Sequence, residues 1–412
     1  MVTETPTKPA ELLTTQEALR AQVESIVTST WVTDVHTHLF PPECSDFCLY
    51  GIDELLTYHY LTAEVLRSLP KVSYEQFWAM SKTERADLVW RTLFVDNVPS
   101  SEAARGVISV LDAFGLDTRA PDLKEARAFF DSRSVAEHID HVFDIARVRS
   151  VVMTNDPLDD VEARIWENQA SVDPRFRSSL RLDRLLNSRA LDSASIMDLR
   201  QFLDAWIRRL NPVYMAASLP ADFNFPSDDA RDRLLREVVL PTAKEHGLAL
   251  TLMVGVRRRV NPSLREAGDG VGNADVTAIE RLCAEYPETK FLVTFLSREN
   301  QHELCVAARK FRNLMPFGCW WFLNNPSIVS EITRERIELL GQSFIPQHSD
   351  ARVLEQLIYK WKHARKEIAA ALCDSYEQLL LSGRAVTSEE ISRDVNRLFN
   401  GNFSECVGSS GF

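Results

Sequence analysis

The chain has 412 residues, 45% of them apolar, which is enough for a large globular core. Its formal net charge of −12 argues against a nucleic-acid-binding protein, because such a protein needs a basic face. No run of the sequence approaches the roughly 18 apolar residues that a membrane helix requires, and the first residues lack the basic and apolar start of a signal peptide. The odd number of scattered cysteines, seven, is typical of reduced thiols and predicts a cytoplasmic protein.

The amino-terminal third is predicted to be mainly helical. Residues 1–30 form an N-terminal segment, in which a frayed leader (1–10) precedes a helix with a broad apolar face. A β-branched strand follows at 31–36. Residues 41–147 then contain several helical stretches and no strand-like alternation, which indicates a helical insertion packed over one end of the next architecture.

From about residue 148 short apolar runs alternate with amphipathic helical stretches. With the strand at 31–36 the pattern gives eight strand–helix units, the number in a (β/α)8 (TIM) barrel. The later predicted strands are RSVVMTN (149–155), FRSSLRLD (176–183), PVYMAAS (212–218), GLALTLMV (247–254), KFLVTFL (290–296), NLMPFGCWWF (313–322) and FIPQHSD (344–350). The sequence therefore predicts an α/β barrel over residues 31–372, with the helical insertion inside it. Residues 373–412 add C-terminal helices and a loosely held tail from residue 402.

The first predicted strand ends in two histidines. Alternate side chains of a strand share a face, so His36 and His38 project together from its carboxyl end. The eighth predicted strand ends in Asp350, and function in such barrels gathers at the carboxyl ends of the strands. Three protein ligands and an open position are what a catalytic divalent metal needs; we expect zinc, with manganese or another ion as alternatives. His348 is an alternative ligand or a neighbour of one. A chance H-x-H pair and a structural Asp350–Arg352 ion pair are the competing explanations.

Further candidates lie near other strand ends and in the insertion. They are His59, Tyr60, Arg177, Arg258, Trp320, Trp321 and Arg352. Adjacent residues of a strand face opposite ways, so at most one of the two tryptophans is expected to line a pocket. The fourth, fifth and sixth predicted strands end without lysine or histidine, which argues against a two-metal hydrolase of this layout.

Taken in chain order, six short motifs of the sequence resemble those of the uronate isomerase (glucuronate isomerase) family, a branch of the amidohydrolase superfamily. The matching motifs are His36, His38 and Leu39; Tyr58, His59 and Tyr60; Thr154, Asn155, Asp156, Pro157 and Asp159; Pro174, Arg175, Phe176 and Arg177; Trp320, Trp321 and Phe322; and Asp350, Ala351 and Arg352. The chain departs from the family at Met253, where the family has a histidine near the metal. The acid–histidine pair after the fourth strand is also not evident, unless Asp222 takes that part.

The resemblance implies an aldose–ketose isomerase that converts a hexuronate, D-glucuronate or D-galacturonate, to its ketouronate by metal-assisted proton transfer from C2 to C1. It assigns Asp350 as base, Tyr60 as proton donor, His59 to ring opening and Arg352 to substrate oxygens. Arg177 or Arg258 would bind the C6 carboxylate, because a guanidinium matches a planar anion. Met253 is expected to form an apolar wall beside a three-ligand metal site.

Two other functions stay open. The same three ligands suit a mononuclear metal-dependent hydrolase or lyase acting on a small carboxylated substrate, because they could equally activate a water molecule. A non-catalytic barrel that binds a sugar acid is the third hypothesis. All three predict a small sugar-acid or carboxylate ligand, with no nucleic-acid or membrane partner, and leave a homo-oligomer open.

Overall fold

The computed structural model describes residues 11–168, 172–188 and 195–408. The predicted leader at 1–10 and the end of the predicted tail, 409–412, lie outside the described residues. None of the described helices combines the length and the apolar character that a membrane crossing requires.

A curled parallel sheet forms the centre of the fold. The strands are β1 (Leu12–Leu13), β2 (Val32–Asp34), β3 (Val148–Asn155), β4 (Phe176–Arg181), β5 (Tyr214–Pro220), β6 (Ala249–Arg257), β7 (Gly270–Val271), β8 (Phe291–Phe295), β9 (Leu314–Pro316) and β10 (Val386–Thr387). In the described part of the chain, seven of them run parallel in the order β2-β3-β4-β5-β6-β8-β9, and β7 pairs antiparallel with β6. Strands such as β8 are buried throughout, because helices cover the outer face and side chains fill the inner one.

The eighth predicted strand, 344–350, closes the sheet into a barrel without forming a regular ladder of its own. On one side the Ile345 N–H donates to the carbonyl of Pro316, the last residue of β9, 3.0 Å away. On the other side the His38 N–H donates to the Ala351 carbonyl, 2.7 Å away, just beyond β2. The segment therefore spans the gap between the first and last strands, and the predicted (β/α)8 class is confirmed.

Helices surround the barrel and fill the insertion. They are α1 (Gln16–Ser29), α2 (Ile52–Thr57), α3 (His59–Ser68), α4 (Tyr74–Ala79), α5 (Lys82–Trp90), α6 (Glu102–Ala113), α7 (Lys124–Asp131), α8 (Val135–Ala146), α9 (Asp160–Asn168), α10 (Asp183–Asn187), α11 (Ile196–Leu210), α12 (Ala230–Leu234), α13 (Leu240–His246), α14 (Thr277–Glu285), α15 (Gln301–Ala308), α16 (Pro326–Leu340), α17 (Gln356–Leu381), α18 (Ser388–Asn396) and α19 (Asn402–Val407). Short 3-10 or π segments lie at Pro42–Phe47, Arg91–Val95, Leu235–Val239, Pro262–Gly268, Arg298–Asn300, Trp321–Leu323 and Arg397–Gly401.

Serine caps divide the insertion into short helices. Ser73, Ser81 and Ser134 each form a capping box. In each box the serine hydroxyl accepts a hydrogen bond from the N–H of the third helical residue, and the side chain of that residue accepts one from the serine N–H. These caps set the starts of α4, α5 and α8. The result is the helical layer that the sequence predicts between β2 and β3.

The terminal segments form part of the barrel's packing. Helix α17 runs through the predicted boundary between residues 372 and 373, so no element ends there. Its Arg365 donates to the carbonyls of Val27 and Thr30, at 2.6 and 2.8 Å, and so holds the end of α1. The expectation of a loose tail from residue 402 is wrong for the described residues, since Phe403 of α19 is 1% exposed and packs with the barrel interior.

Candidate active site

A small polar cavity of about 30 Å³ lies at the carboxyl ends of the barrel strands. His36, His38 and Asp350 line it, together with side chains from the insertion and from the loops after β4, β6 and β9. This is the end of a (β/α)8 barrel at which catalytic groups collect. The location matches the one that the sequence predicts.

His36, His38 and Asp350 form a group that could hold a metal ion. The Nε2 atoms of His36 and His38 lie 3.5 and 3.3 Å from Asp350 Oδ1, and the three ligand atoms are all within 4.8 Å of one another. Asp350 Oδ1 is buried and has no hydrogen-bond partner among the described residues. Two imidazole nitrogens and one carboxylate oxygen around an unsatisfied atom suit a divalent ion such as zinc.

Hydrogen bonds behind the cavity determine which nitrogen of His36 faces it. The Tyr214 hydroxyl donates its one proton to the Val35 carbonyl, 2.7 Å away. It can therefore only accept from His36 Nδ1, which lies 3.3 Å from it. Nε2 of His36 then carries the lone pair, directed at Asp350 and at any metal bound there.

A buried carboxylate positions the segment that carries Asp350. Asp34, at the end of β2, accepts hydrogen bonds from the Ser349 N–H at 3.0 Å and from Trp361 Nε1 at 2.8 Å. Asp350 itself has φ of 52°, in the left-handed region that non-glycine residues seldom adopt. The backbone therefore turns at Asp350, and the side chain points back at the two histidines.

Burial keeps the His38 imidazole neutral. It lowers the pKa of His38 to about 3, with a further contribution from the Arg352 guanidinium. Burial raises the pKa of Asp350, but the adjacent His36 and His38 rings outweigh this effect and hold that pKa well below the usual value. An ionised Asp350 carboxylate beside the neutral His38 imidazole suits metal binding, because metal ligands must be deprotonated.

His348 lies behind the metal group, outside the residues that line the cavity. It is fully buried, and its ring centroid is 5.1 Å from that of His36. Gly318 makes room for it, since a Cβ atom at that position would lie 2.1 Å from His348 Cδ2. His348 is therefore a neighbour of the predicted ligands.

The insertion contributes Tyr58 and His59 to the cavity wall. Burial lowers the pKa of His59 to about 3, and its Nε2 is buried with no hydrogen-bond partner in the described chain. Tyr60, the predicted proton donor, is not a lining residue; its ring packs 4.5 Å from that of His59 and lies 5.5 Å from Lys360 Nζ. Tyr58 has an extended backbone just before α3, and it is this tyrosine that lines the cavity.

The arginines are divided between the cavity and the strand beneath it. Arg258 and Arg352 line the cavity, as predicted. Arg177 does not line it, because it sits at the start of β4, four residues or roughly 13 Å below the strand's carboxyl end. Arg181, at that end, lines the cavity and pairs with Asp183 at 2.7 Å. Sequence reasoning missed this pair although both residues belong to the predicted strand FRSSLRLD.

Apolar side chains complete the wall. Both Trp320 and Trp321 line the cavity, so the expectation that only one would do so is wrong. The strand has ended before them, and Trp321 has φ of 46°, which breaks the alternation of side chains. Met253 is 2% exposed, lines the cavity and packs with Trp320, which confirms its prediction as an apolar wall.

A closed (β/α)8 barrel with H-x-H after its first strand and an aspartate in its last segment has the layout of the barrel enzymes that use a metal ion. A scan against protein-family models and a search of curated proteins gave no match. Among solved structures, the chain is 50% identical to a uronate isomerase from Bacillus halodurans C-125, with a TM-score of 0.93 over 97% of this chain and 98% of that one. The chain belongs to the uronate isomerase family.

Two more distant structures show the same fold. A uronate isomerase from Thermotoga maritima is 14% identical, with a TM-score of 0.74 over 96% of this chain and 100% of that one. A glucuronate isomerase from Caulobacter crescentus is 16% identical, with a TM-score of 0.69 over 98% of this chain and 95% of that one. The insertion and the terminal helices are therefore part of a fold that matches along nearly the whole chain.

Proposed function

We propose that the protein is an aldose–ketose isomerase that converts a hexuronate, D-glucuronate or D-galacturonate, to its ketouronate. The observation that carries this proposal is the likeness to the uronate isomerase from Bacillus halodurans, at 50% identity over 97% of this chain. The cavity adds two carboxylates, three imidazoles and three guanidinium groups at one barrel mouth. These groups suit an anionic sugar and a proton transfer.

His36, His38 and Asp350 are the residues that would hold one divalent ion, which we propose to be zinc. The buried, unpartnered Asp350 Oδ1 beside two Nε2 atoms fits such an ion. When bound, the ion would polarise the substrate oxygens at C1 and C2 and stabilise negative charge that develops on them. Met253 supplies no nitrogen or oxygen ligand, so the protein provides three.

The isomerisation needs a proton removed from C2 and returned to C1, while the C2 hydroxyl loses a proton and O1 gains one. Asp350 is our proposed base, because its carboxylate is ionised and buried at the cavity wall. Neutral His59, with its unpartnered Nε2, would take part in ring opening. A tyrosine hydroxyl would donate a hydrogen bond to the substrate oxygen at C1 or C2. Tyr58 lines the cavity, and Tyr60 is the residue that the family resemblance assigns.

Guanidinium groups would recognise the sugar acid. Arg352 lies beside Asp350 and would hold substrate oxygens near the reacting carbons. Arg181 and Arg258 also line the cavity and could pair with the C6 carboxylate. Arg181 is fixed by Asp183, whose other oxygen accepts from the Ser218 N–H at 2.8 Å, so its fork is already oriented. We therefore propose Arg181 for the carboxylate, together with Arg258, in place of Arg177.

The alternative, a mononuclear hydrolase or lyase, has less support. It uses the same three ligands, but the likeness along the whole chain is to uronate isomerases. We also propose that the protein works in the cytoplasm, since its seven cysteines are free thiols. A homo-oligomer stays a proposal that solution measurements of mass can test.

A substrate panel tests the proposal. Purified protein is incubated with D-glucuronate, D-galacturonate and the matched neutral sugars D-glucose and D-galactose, in the presence of zinc or manganese, and ketose formation is followed. We expect turnover of a hexuronate and little of the neutral sugars, because only the hexuronates carry the carboxylate. Absence of turnover with either hexuronate and any added metal would overturn the proposal. Release of acid from ester or lactone substrates would support the alternative.

A further inference from the structure

A second cavity, of about 340 Å³, lies next to the catalytic one and shares the side chains of Tyr58, His59 and Arg352 with it. We call it the vestibule. The catalytic cavity, at about 30 Å³, has room for about one or two water molecules, whereas sites for small molecules usually measure about 300 Å³ or more. The vestibule therefore has the volume that a sugar acid needs.

Two arginines of the vestibule lie over one indole ring. The guanidinium carbons of Arg85 and Arg265 are 5.3 and 4.4 Å from the ring centroid of Trp78. Like charges placed so close repel each other, and burial together with Arg265 lowers the pKa of Arg85. Contact with the face of an indole offsets part of this cost and fixes where the cations lie.

The two acids that line the vestibule, Glu54 and Glu266, face other cations of its wall. Glu54 pairs with Lys82, and Glu266 lies 4.0 Å from Arg352. Within the described residues, Arg85 and Arg265 enter no ion pair, and Arg85 Nε is buried without a hydrogen-bond partner. Two guanidinium groups with donors to spare thus face a chamber beside the catalytic site.

The backbone holds Arg265 in this place at a conformational cost. Arg265 has φ of 54° and ψ of −122°, which a residue with a side chain seldom adopts. The segment that carries it is tied to the insertion, since Trp78 Nε1 donates to the Ser263 carbonyl at 2.9 Å and Asn261 Nδ2 donates to the Tyr74 hydroxyl at 3.2 Å. The contact between Arg265 and Trp78 is therefore a fixed feature of the fold.

We propose that the vestibule is a capture site for the carboxylate of the incoming sugar acid, with Arg85 and Arg265 as its binding groups. The inference rests on the proposed function for the identity of the ligand. A protein with a net charge of −12 repels a sugar acid at long range, and a local pair of cations in the vestibule opposes that repulsion. A guanidinium fork also matches the two oxygens of a carboxylate.

The test compares wild type, Arg265→Gln and the double variant Arg85→Gln/Arg265→Gln, with Arg312→Gln as control. Arg312 is exposed and lies just before β9, at the opposite end of the barrel. We expect kcat/KM for the hexuronate to fall about 10-fold at low ionic strength in the double variant, with a smaller fall in Arg265→Gln and kcat within about two-fold. The difference from wild type should shrink at high salt, and Arg312→Gln should behave as wild type.

Two results would overturn the capture site while leaving the proposed function intact: an unchanged kcat/KM in both variants, or a loss of kcat that is equal at all salt concentrations. Arg265→Gln covers the case in which the double variant does not fold, because Arg265 is exposed. If wild type turns over no hexuronate, the proposed function fails separately. The vestibule is then tested by calorimetric titration of D-galacturonate, where weaker binding in Arg265→Gln than in wild type supports it and equal binding refutes it.

Discussion

Glu162 should make the stability of the protein depend on pH in a defined direction. It lies on α9, behind the loop after β3, and accepts hydrogen bonds from Asn155 Nδ2 at 3.1 Å, the Asp156 N–H at 3.1 Å and Trp166 Nε1 at 3.0 Å. Its side chain is nevertheless buried, and burial raises its pKa from 4.5 to about 7 in spite of these hydrogen bonds. Asn155 ends β3, next to Thr154, which lines the catalytic cavity.

The difference between the two pKa values of Glu162 sets the magnitude. A rise from 4.5 to about 7 corresponds to about 3.4 kcal/mol, because each pKa unit is worth about 1.36 kcal/mol. Between these values the folded protein keeps a proton that the unfolded chain has lost. This stabilising contribution is therefore complete below pH 4.5 and is lost as the pH rises through about 7. Between about pH 5.5 and pH 8 the loss should be about 2 kcal/mol.

Urea unfolding of wild type and Glu162→Gln at about pH 5.5 and pH 8 measures this loss. The free energy of unfolding of wild type relative to the variant should fall by about 2 kcal/mol between the two pH values. Glu167→Gln, an exposed change on the same helix, is the control and should show no such trend. A wild-type-to-variant difference that is the same at both pH values, within about 0.5 kcal/mol, would refute the reasoning.

Three further predictions concern the metal and the packing around it. Met253→His should tighten zinc binding about 10-fold or more, because it adds an imidazole to a three-ligand site. Calorimetric titration with zinc measures this, and an unchanged affinity would mean that residue 253 cannot reach the metal. Glu355→Ala removes the hydrogen-bond partner of His138 Nε2, 2.6 Å away, and of the Gly51 N–H, 2.8 Å away, and should lower the free energy of unfolding by about 2–6 kcal/mol. A loss under about 1 kcal/mol in urea unfolding would contradict this. Asp34→Ala leaves the Ser349 N–H and the Trp361 Nε1–H unpaired and should lower the free energy of unfolding in urea by about 2–6 kcal/mol. An unchanged free energy of unfolding would show that water replaces the carboxylate.

The barrel could be predicted from the sequence because its signal is periodic. Short β-branched runs separated by amphipathic stretches predict strands near the observed positions. The alternation of side chains along a strand is enough to predict that His36 and His38 point to the same side. The eighth segment was also found, although its role as a closing piece between β9 and β2 depends on hydrogen bonds that no local pattern encodes. Asp350 reaches the histidines through a left-handed backbone, which alternation cannot predict.

The parts of the site that were missed depend on where a strand stops. Arg177 and Arg181 share a face of β4, and only the observed end of that strand shows that Arg181 reaches the cavity. Trp320 and Trp321 both reach it because the strand ends at Pro316. The vestibule could not be predicted from the sequence for a different reason. Its side chains come from the insertion and from the segment after β6, which are far apart in the sequence.

The role of Asp350 as the group that removes the C2 proton is the central claim, and hydrogen exchange at C2 tests it most directly. Wild type and Asp350→Asn are incubated in deuterium oxide with the hexuronate that wild type turns over, and metal content is measured for both. We predict that wild type isomerises the sugar, and that Asp350→Asn loses ketose formation and proton exchange at C2 by about 100-fold or more while remaining folded. An Asp350→Asn protein that still exchanges the C2 hydrogen within about 10-fold of the wild-type rate would contradict the account.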